Sequence, residues 1–165
     1  VIRTERLFLR KPTAADVADP PPFLSDPRVM GFLGGVDESP PEVVQLWVDG
    51  WEIYPAGKLI VETETGERIG RVGFNFYEPV GWHRSRLAEA LPELTWALAH
   101  EHWGNGYATE AAAAARDWLG REDLISLIAP LNTRSQRVAE RLGARPTKTI
   151  KLPDGGPHVV WEYPA

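Results

Sequence analysis

Residues Leu94 to Ala115 read LTWALAHEHWGNGYATEAAAAA. A short apolar run passes through Trp103-Gly104-Asn105-Gly106-Tyr107-Ala108 into a plain helix former. This order predicts a strand over Leu94 to Ala99, a glycine turn, and a helix over Tyr107 to Leu119. Two glycines directly before a helix leave several backbone N–H groups unpaired and sterically open. The orphan amides and the helix dipole both favour negative charge there, so the stretch predicts an anion site suited to a phosphate-bearing ligand.

Outward from this centre, Leu7 and Leu9 alternate with charged neighbours as a strand does, and Pro12 ends it. Thr13 is placed to cap a short helix through Val17, stopped by Pro20-Pro21-Pro22. Asp26 caps a second, from Pro27 to Phe32. Ser39-Pro40-Pro41-Glu42 opens a longer helix with Val43, Val44, Trp47 and Trp51 on one face. Leu59–Glu62 and Ile69–Tyr77 then read as an antiparallel pair turning at Thr65-Gly66, followed by a polar loop from Pro79 to Pro92. Beyond the central helix come a buried strand (Leu124–Leu131), a helix (Thr133–Leu142) ended by Gly143, and strands Thr147–Lys151 and Val159–Tyr163 around Pro153-Asp154-Gly155-Gly156. Antiparallel strands first, strand–helix units second and a final hairpin predict one α/β (α+β) domain over 1–165 with a mixed sheet.

Composition narrows the function. The 165 residues carry no cysteine, which removes disulfides, thiol nucleophiles and thiolate metal sites. No apolar run is long enough for a membrane span, and the N-terminal stretch lacks a secretory apolar core, so a cytoplasmic location is expected. A net charge of −5 argues against nucleic acid. Residues 1–80 hold 8 basic and 13 acidic side chains, and residues 81–165 hold 10 of each. The neutral half suits an anionic cofactor and the acidic half a cationic substrate, unless the acids are simply a solvated surface. His100 and His102 have no supporting carboxylate pattern and His158 is distant, so no metal site is expected. Trp47, Trp96, Trp118 and Trp161 fall at core-like positions. Trp82, in the loop, could line an acceptor pocket, cover a reactive group or join a dimer contact.

Two nucleotide folds fail on the glycine motif. Position 109 is Thr where a dinucleotide fingerprint takes Gly or Ala, and Gly106 is followed by Tyr107-Ala108 where a P-loop needs Lys and Ser/Thr. The run from Glu93 to Ala111 instead resembles motif A of the GNAT N-acetyltransferase superfamily, in the branch holding the ribosomal-protein N-terminal acetyltransferases. Thr4-Glu5-Arg6-Leu7-Phe8-Leu9-Arg10, Leu24–Met30 and the run Asn132–Gly143 resemble that branch's first strand, second helix and motif B, in the family's order.

The resemblance implies a GNAT fold with a mostly antiparallel sheet, flanking helices and splayed central strands. It implies acetyl-CoA as cofactor and a primary amine as acceptor, either a protein N-terminus or a small molecule, and it allows a homodimer. Trp96, Ala97 and Leu98 would bond the pantetheine arm. The amides of Trp103, Gly104, Asn105, Gly106, Tyr107 and Ala108, with Thr109, would hold the pyrophosphate. Asn132 would bond the CoA arm, and Ser135 would protonate the departing thiolate, unless both merely cap their helix. Glu93 matches a position where related enzymes carry a catalytic Glu, and is the candidate base, against the alternative of a solvated strand-end acid. His83, Glu89 and Tyr77 are weaker candidates. Direct transfer, with backbone amides polarising the carbonyl, is the expected route. A non-catalytic CoA-binding sensor or interaction module is the competing class.

Overall fold

The alternation at Leu7-Phe8-Leu9-Arg10 sends both leucines into the core and leaves Phe8 and Arg10 half-buried on the opposite face. The computed structural model describes residues 2–36, 39–153 and 155–165. Its strands are β1 (Ile2–Arg3), β2 (Leu7–Arg10), β3 (Lys58–Thr63), β4 (Arg68–Glu78), β5 (His83–Arg84), β6 (Leu91–Leu98), β7 (Ile125–Ile128), β8 (Arg145–Lys151) and β9 (Pro157–Glu162). The helices are α1 (Ala14–Ala18), α2 (Pro27–Met30), α3 (Pro40–Ile53), α4 (Tyr107–Leu119) and α5 (Thr133–Arg141). All strands join one sheet in the order β1-β2-β3-β4-β6-β7-β9-β8, with β5 against β4. Every described pairing is antiparallel except β6 with β7.

Each face of this sheet carries its own apolar layer. Ala111, Ala112 and Ala115 of α4 are buried with Leu94, Trp96 and Leu98. Their small side chains bring α4 down onto the strands. The other face packs Val44 and Trp47 of α3, together with Val29 and Met30 of α2, on Ile60 and Ala97. An ionic knot closes the edge near α1. Asp16, 2% exposed, takes Arg10 in a fork at 2.7 and 2.9 Å, Arg68 at 3.1 Å and the Thr13 backbone N–H at 2.8 Å.

The elements fall close to their predicted places, with instructive differences. The loop after β4 returns as β5, and β6 begins at Leu91, so Pro92 lies inside a strand. Ser126 Oγ donates to the Leu94 carbonyl from the β7 side, whereas the Ala99 N–H donates to Ile69 of β4. Polar groups alternate along a strand, so Pro92 turns its missing N–H away from β4 and the ladder there loses nothing. Strand β7 ends at Ile128, ahead of Pro130, and α2 ends at Met30. Trp47, Trp96 and Trp161 are buried, but Trp118 is 49% exposed. The helical period places Trp118 over the rim of the core, where its ring faces Trp51 and Phe74, at 6.0 and 6.3 Å between ring centres. In the last turn, Asp154 lies outside the described residues.

Candidate active site

Strands β6 and β7 touch at one registered position, Glu93 against Ile125, and then diverge. Beyond that apex β7 pairs only with β9, through Ile128. The alternation that turns the Leu94 carbonyl toward β7 turns the polar groups of Trp96 and Leu98 the same way, into the wedge. The Leu98 carbonyl is taken by the Trp103 indole N–H at 2.9 Å. This leaves the Trp96 N–H and C=O and the Leu98 N–H offered to a ligand lying along the strand. Ala97 alternates toward β4 and contributes a side-chain wall. Ser126 Oγ, 2.7 Å from the Leu94 carbonyl, fastens the two strands where they are closest, and it also bonds Tyr163 Oη at 2.8 Å.

At the open end the glycine turn behaves as its sequence requires. Gly104 and Gly106 have φ of +82° and +78°, in the left-handed region. A Cβ built on Gly104 would meet no protein atom within 4 Å, so the space over this backbone is open to a ligand. The Glu110 N–H makes the first helical bond, to Gly106, leaving the amides of Tyr107, Ala108 and Thr109 free of helical partners. Thr109 Oγ1 is buried and has no hydrogen-bond partner among the described residues. An orphaned hydroxyl at the head of a helix, beneath an open cradle, is what an absent phosphate-bearing group would explain.

A cavity of about 550 Å³ follows the wedge. Of the predicted cofactor contacts, Trp96, Ala97, Leu98, Trp103, Gly104, Gly106, Tyr107, Ala108, Thr109, Asn132 and Ser135 all line it. Asn105 does not. Its side-chain amide donates to the His102 carbonyl, and its own carbonyl accepts from Arg6. Asn132 is the α5 cap, accepting from the Ser135 N–H at 3.3 Å, while its amide donates to Ser135 Oγ at 3.1 Å. Capping and cavity lining are therefore both observed for this pair. His100 and His102 also line the cavity, although their sequence setting suited plain surface residues.

Sequence reasoning missed the cations. Arg28, Arg134, Arg137 and Arg141 surround the cavity, and the Arg134 guanidinium lies 3.8 Å from the Trp103 ring centre. The last three recur at i, i+3 and i+7 on α5, a spacing that was legible as one helical face. Glu110 was missed as well. Its carboxylate accepts from Thr4 Oγ1 at 2.6 Å, the Arg6 N–H at 2.8 Å and Arg6 Nε at 2.7 Å, and Arg6 reaches on to the Asn105 carbonyl. The β1–β2 turn thereby braces the glycine turn from outside and neutralises an acid that would otherwise oppose an anion. Glu110→Ala is expected to weaken CoA binding about tenfold, or ~1.4 kcal/mol. Calorimetric titration checks this, and an unchanged Kd would remove the brace from the binding machinery.

Glu93 is 6% exposed and sits third in β6, so it is no solvated strand end. Asn75 Nδ2 donates to its Oε2 at 2.7 Å from the paired position on β4. On the same face lie Thr95 and Arg71, whose Nη1 donates to Thr95 Oγ1 at 3.2 Å. Lys58 Nζ is buried there too, bonded at 2.6 Å to both the Phe74 carbonyl and Asn75 Oδ1. Of the weaker candidates, His83 and Glu89 are exposed. Tyr77 is buried, 6.2 Å from the Trp82 ring, which is held at φ +55°.

Residues 6–145 match the family model described as an acetyltransferase (GNAT) domain. The chain is a GNAT acetyltransferase. YkkB of Bacillus subtilis (strain 168) is 32% identical to it over 139 residues, 78% of this chain and 75% of that protein. The crystal structure of an acetyltransferase from Agrobacterium tumefaciens str. C58 superposes with a TM-score of 0.79 and 34% identity, over 99% of this chain and 94% of the other. AAC(6')-Ib, solved with ribostamycin and coenzyme A, shares the fold at a TM-score of 0.77 and 20% identity, covering 95% and 92% of the two chains. The GNAT acetyltransferase performs acetyl-CoA-dependent acetyl transfer, and the wedge, the glycine turn and the arginine face are the parts of its fold suited to that donor.

Proposed function

We propose that this protein acetylates a primary amine by direct transfer, with the donor in the β6–β7 wedge and the acceptor on the α3 side of the sheet. The observation that carries this reading is the single cavity that joins the cradle to Trp96 on β6, with Glu93 three residues further along the strand and outside the lining. The open amides of α4 and the unpartnered Thr109 hydroxyl lie at one end of the cavity, and the free polar groups of Trp96 and Leu98 lie along it. Glu93 stands at the point where β6 and β7 converge.

Bound acetyl-CoA supplies the thioester, whose carbonyl carbon takes the amine nitrogen as its C–S bond breaks. Tyr107, Ala108 and Thr109 N–H groups bind the pyrophosphate, with Arg134 and Arg137 adding charge. Trp96 and Leu98 orient the arm as an adjoining strand would. Glu93, directly or through one water, takes the proton the amine must lose, and Ser135 delivers one to the departing thiolate. The amide of the acceptor is the product; the acid at Glu93 returns its proton to solvent, and Ser135 recovers one from solvent.

The test separates the donor site from the chemistry. Thr109→Val removes the orphan hydroxyl without touching the glycine backbone. Gly106→Val is a poorer probe, because a β-branched residue at φ +78° strains the turn. Thr109→Val is expected to keep or raise the melting temperature, since a buried unpaired hydroxyl costs ~1–3 kcal/mol, while CoA binding weakens several-fold. Wild-type protein given acetyl-CoA and a broad panel of primary amines is expected to release free thiol. Release with none of them would overturn the reaction.

A further inference from the structure

A second cavity, about 680 Å³, opens on the α3 side of the sheet. It adjoins the first at Leu33, which lines both. Met30 and Trp47 supply apolar wall, Glu42 also lines it, and its polar floor is Lys58, Arg71 and Asn75. Register explains why these three meet. Arg71 and Asn75 lie on one face of β4, and Lys58 is paired with Gly73 between them.

The charges on this floor do not balance. Arg71 is 8% exposed, and its one hydrogen bond among the described residues is to a neutral hydroxyl, that of Thr95. No described carboxylate is in ion-pair contact with Arg71 or Lys58, and Glu93 is the single buried acid whose charge acts on both. Arg84 adds further positive field at Lys58. Burial lowers the Arg71 guanidinium to about 10, which leaves it charged near neutrality, and burial and then Arg71 push Lys58 well below its ordinary value. A guanidinium carries five donors, and among the described residues only one of those on Arg71 has a partner. Leaving a buried charge so poorly paired is costly unless a ligand completes it.

We propose that the acceptor carries a carboxylate close to its amine, and that Arg71, backed by Lys58, binds that carboxylate while the amine is presented beside Glu93. This rests on the amine-acetylation reading above. Thr95, the partner of Arg71, is one same-face step from Glu93 along β6, about 6.6 Å, so the two charged ends of the acceptor are separated by only a few bonds. A planar carboxylate matches the guanidinium fork, which also makes Arg71 the specificity-determining residue. A polycationic acceptor would instead meet two buried cations on the floor, with Glu93 behind them and Glu42 elsewhere in the lining to offset them. The acidic first half of the chain suits a cationic substrate by total charge alone, whereas this proposal rests on two cations placed locally.

The test uses matched pairs: glycine, β-alanine and 4-aminobutyrate, each against its carboxamide, with rates compared per unprotonated amine. At least one acid is expected to exceed its carboxamide about tenfold or more in kcat/KM. Arg71→Gln should collapse that ratio to near unity, chiefly through KM. Calorimetry on the CoA-bound protein should show the preferred acid binding more tightly than its carboxamide. Carboxamides accepted as well as all three acids would overturn the proposal and leave amine acetylation standing. No thiol release with any amine would overturn both. If Arg71→Gln does not fold, the wild-type ratio and the calorimetry still decide.

Discussion

Asp16→Ala is expected to lower stability by about 3 kcal/mol, the low end of the range for breaking a buried ion pair from one side. In a domain of this size that is ~6–12 °C in melting temperature. The loss is large because one carboxylate serves three elements. Arg10 brings β2, Arg68 brings β4, and the Thr13 N–H starts α1. It stays at the low end because the Arg10 and Arg68 side chains are 24% and 19% exposed and can rehydrate. Burial alone would raise the Asp16 carboxyl, but Arg10, Thr13 and Arg68 outweigh it and hold the group far below the usual carboxylate range. A depressed carboxyl stabilises the fold above its unfolded value of about 3.9 and loses that contribution as pH falls toward the folded value. The difference between wild type and variant is therefore expected to be full at pH 7 and to shrink below about pH 4. A difference that is flat with pH would show that Asp16 acts by packing alone.

Glu93→Gln is expected to lower kcat by about a hundredfold or more, the usual scale for a positioned base. Gln retains a carbonyl oxygen for the Asn75 amide, so the side-chain position survives while the proton acceptor is lost. The Kd for CoA should change little, because the pyrophosphate cradle lies at the far end of the wedge. With the base gone, the residual rate should climb steadily with pH as solvent supplies neutral amine. Removing the acid also leaves Lys58 and Arg71 without their opposing charge, so a lower melting temperature accompanies the loss. A variant with kcat within about fivefold of wild type would exclude Glu93 as the base and move attention to Tyr77.

What the sequence made legible follows the range of the forces involved. The glycine turn, the α4 head and the Asn132 cap are local chemistry, with donors and acceptors a few residues apart. They sit where the motif placed them. Strand alternation likewise delivered the two-faced sheet. The brace from Arg6 and Glu110 to the glycine turn links residues about a hundred positions apart, and no local pattern announces it. Lys58, Arg71 and Asn75 converge only through the β3–β4–β6 register, which depends on the irregularity between Val61 and Glu62. Charge counted by halves of the chain could not show this grouping: the first half is acidic in total, yet two of its eight cations meet on one buried floor. Trp118 shows the opposite failure, where periodicity was right and the core simply ended.

The gap between β6 and β7 has a consequence for the protein's fate as well as its chemistry. A sheet parted along its middle exposes two interior edges, and in the proposed function the donor's arm would take the place of the missing strand. Whatever binds the folded chain and not the unfolded one adds to its stability, ~2.7 kcal/mol at a hundred times Kd. The lifetime of each molecule against proteolysis would then be tied to the supply of acetyl-CoA. A cell short of the donor would lose the catalyst along with its turnover.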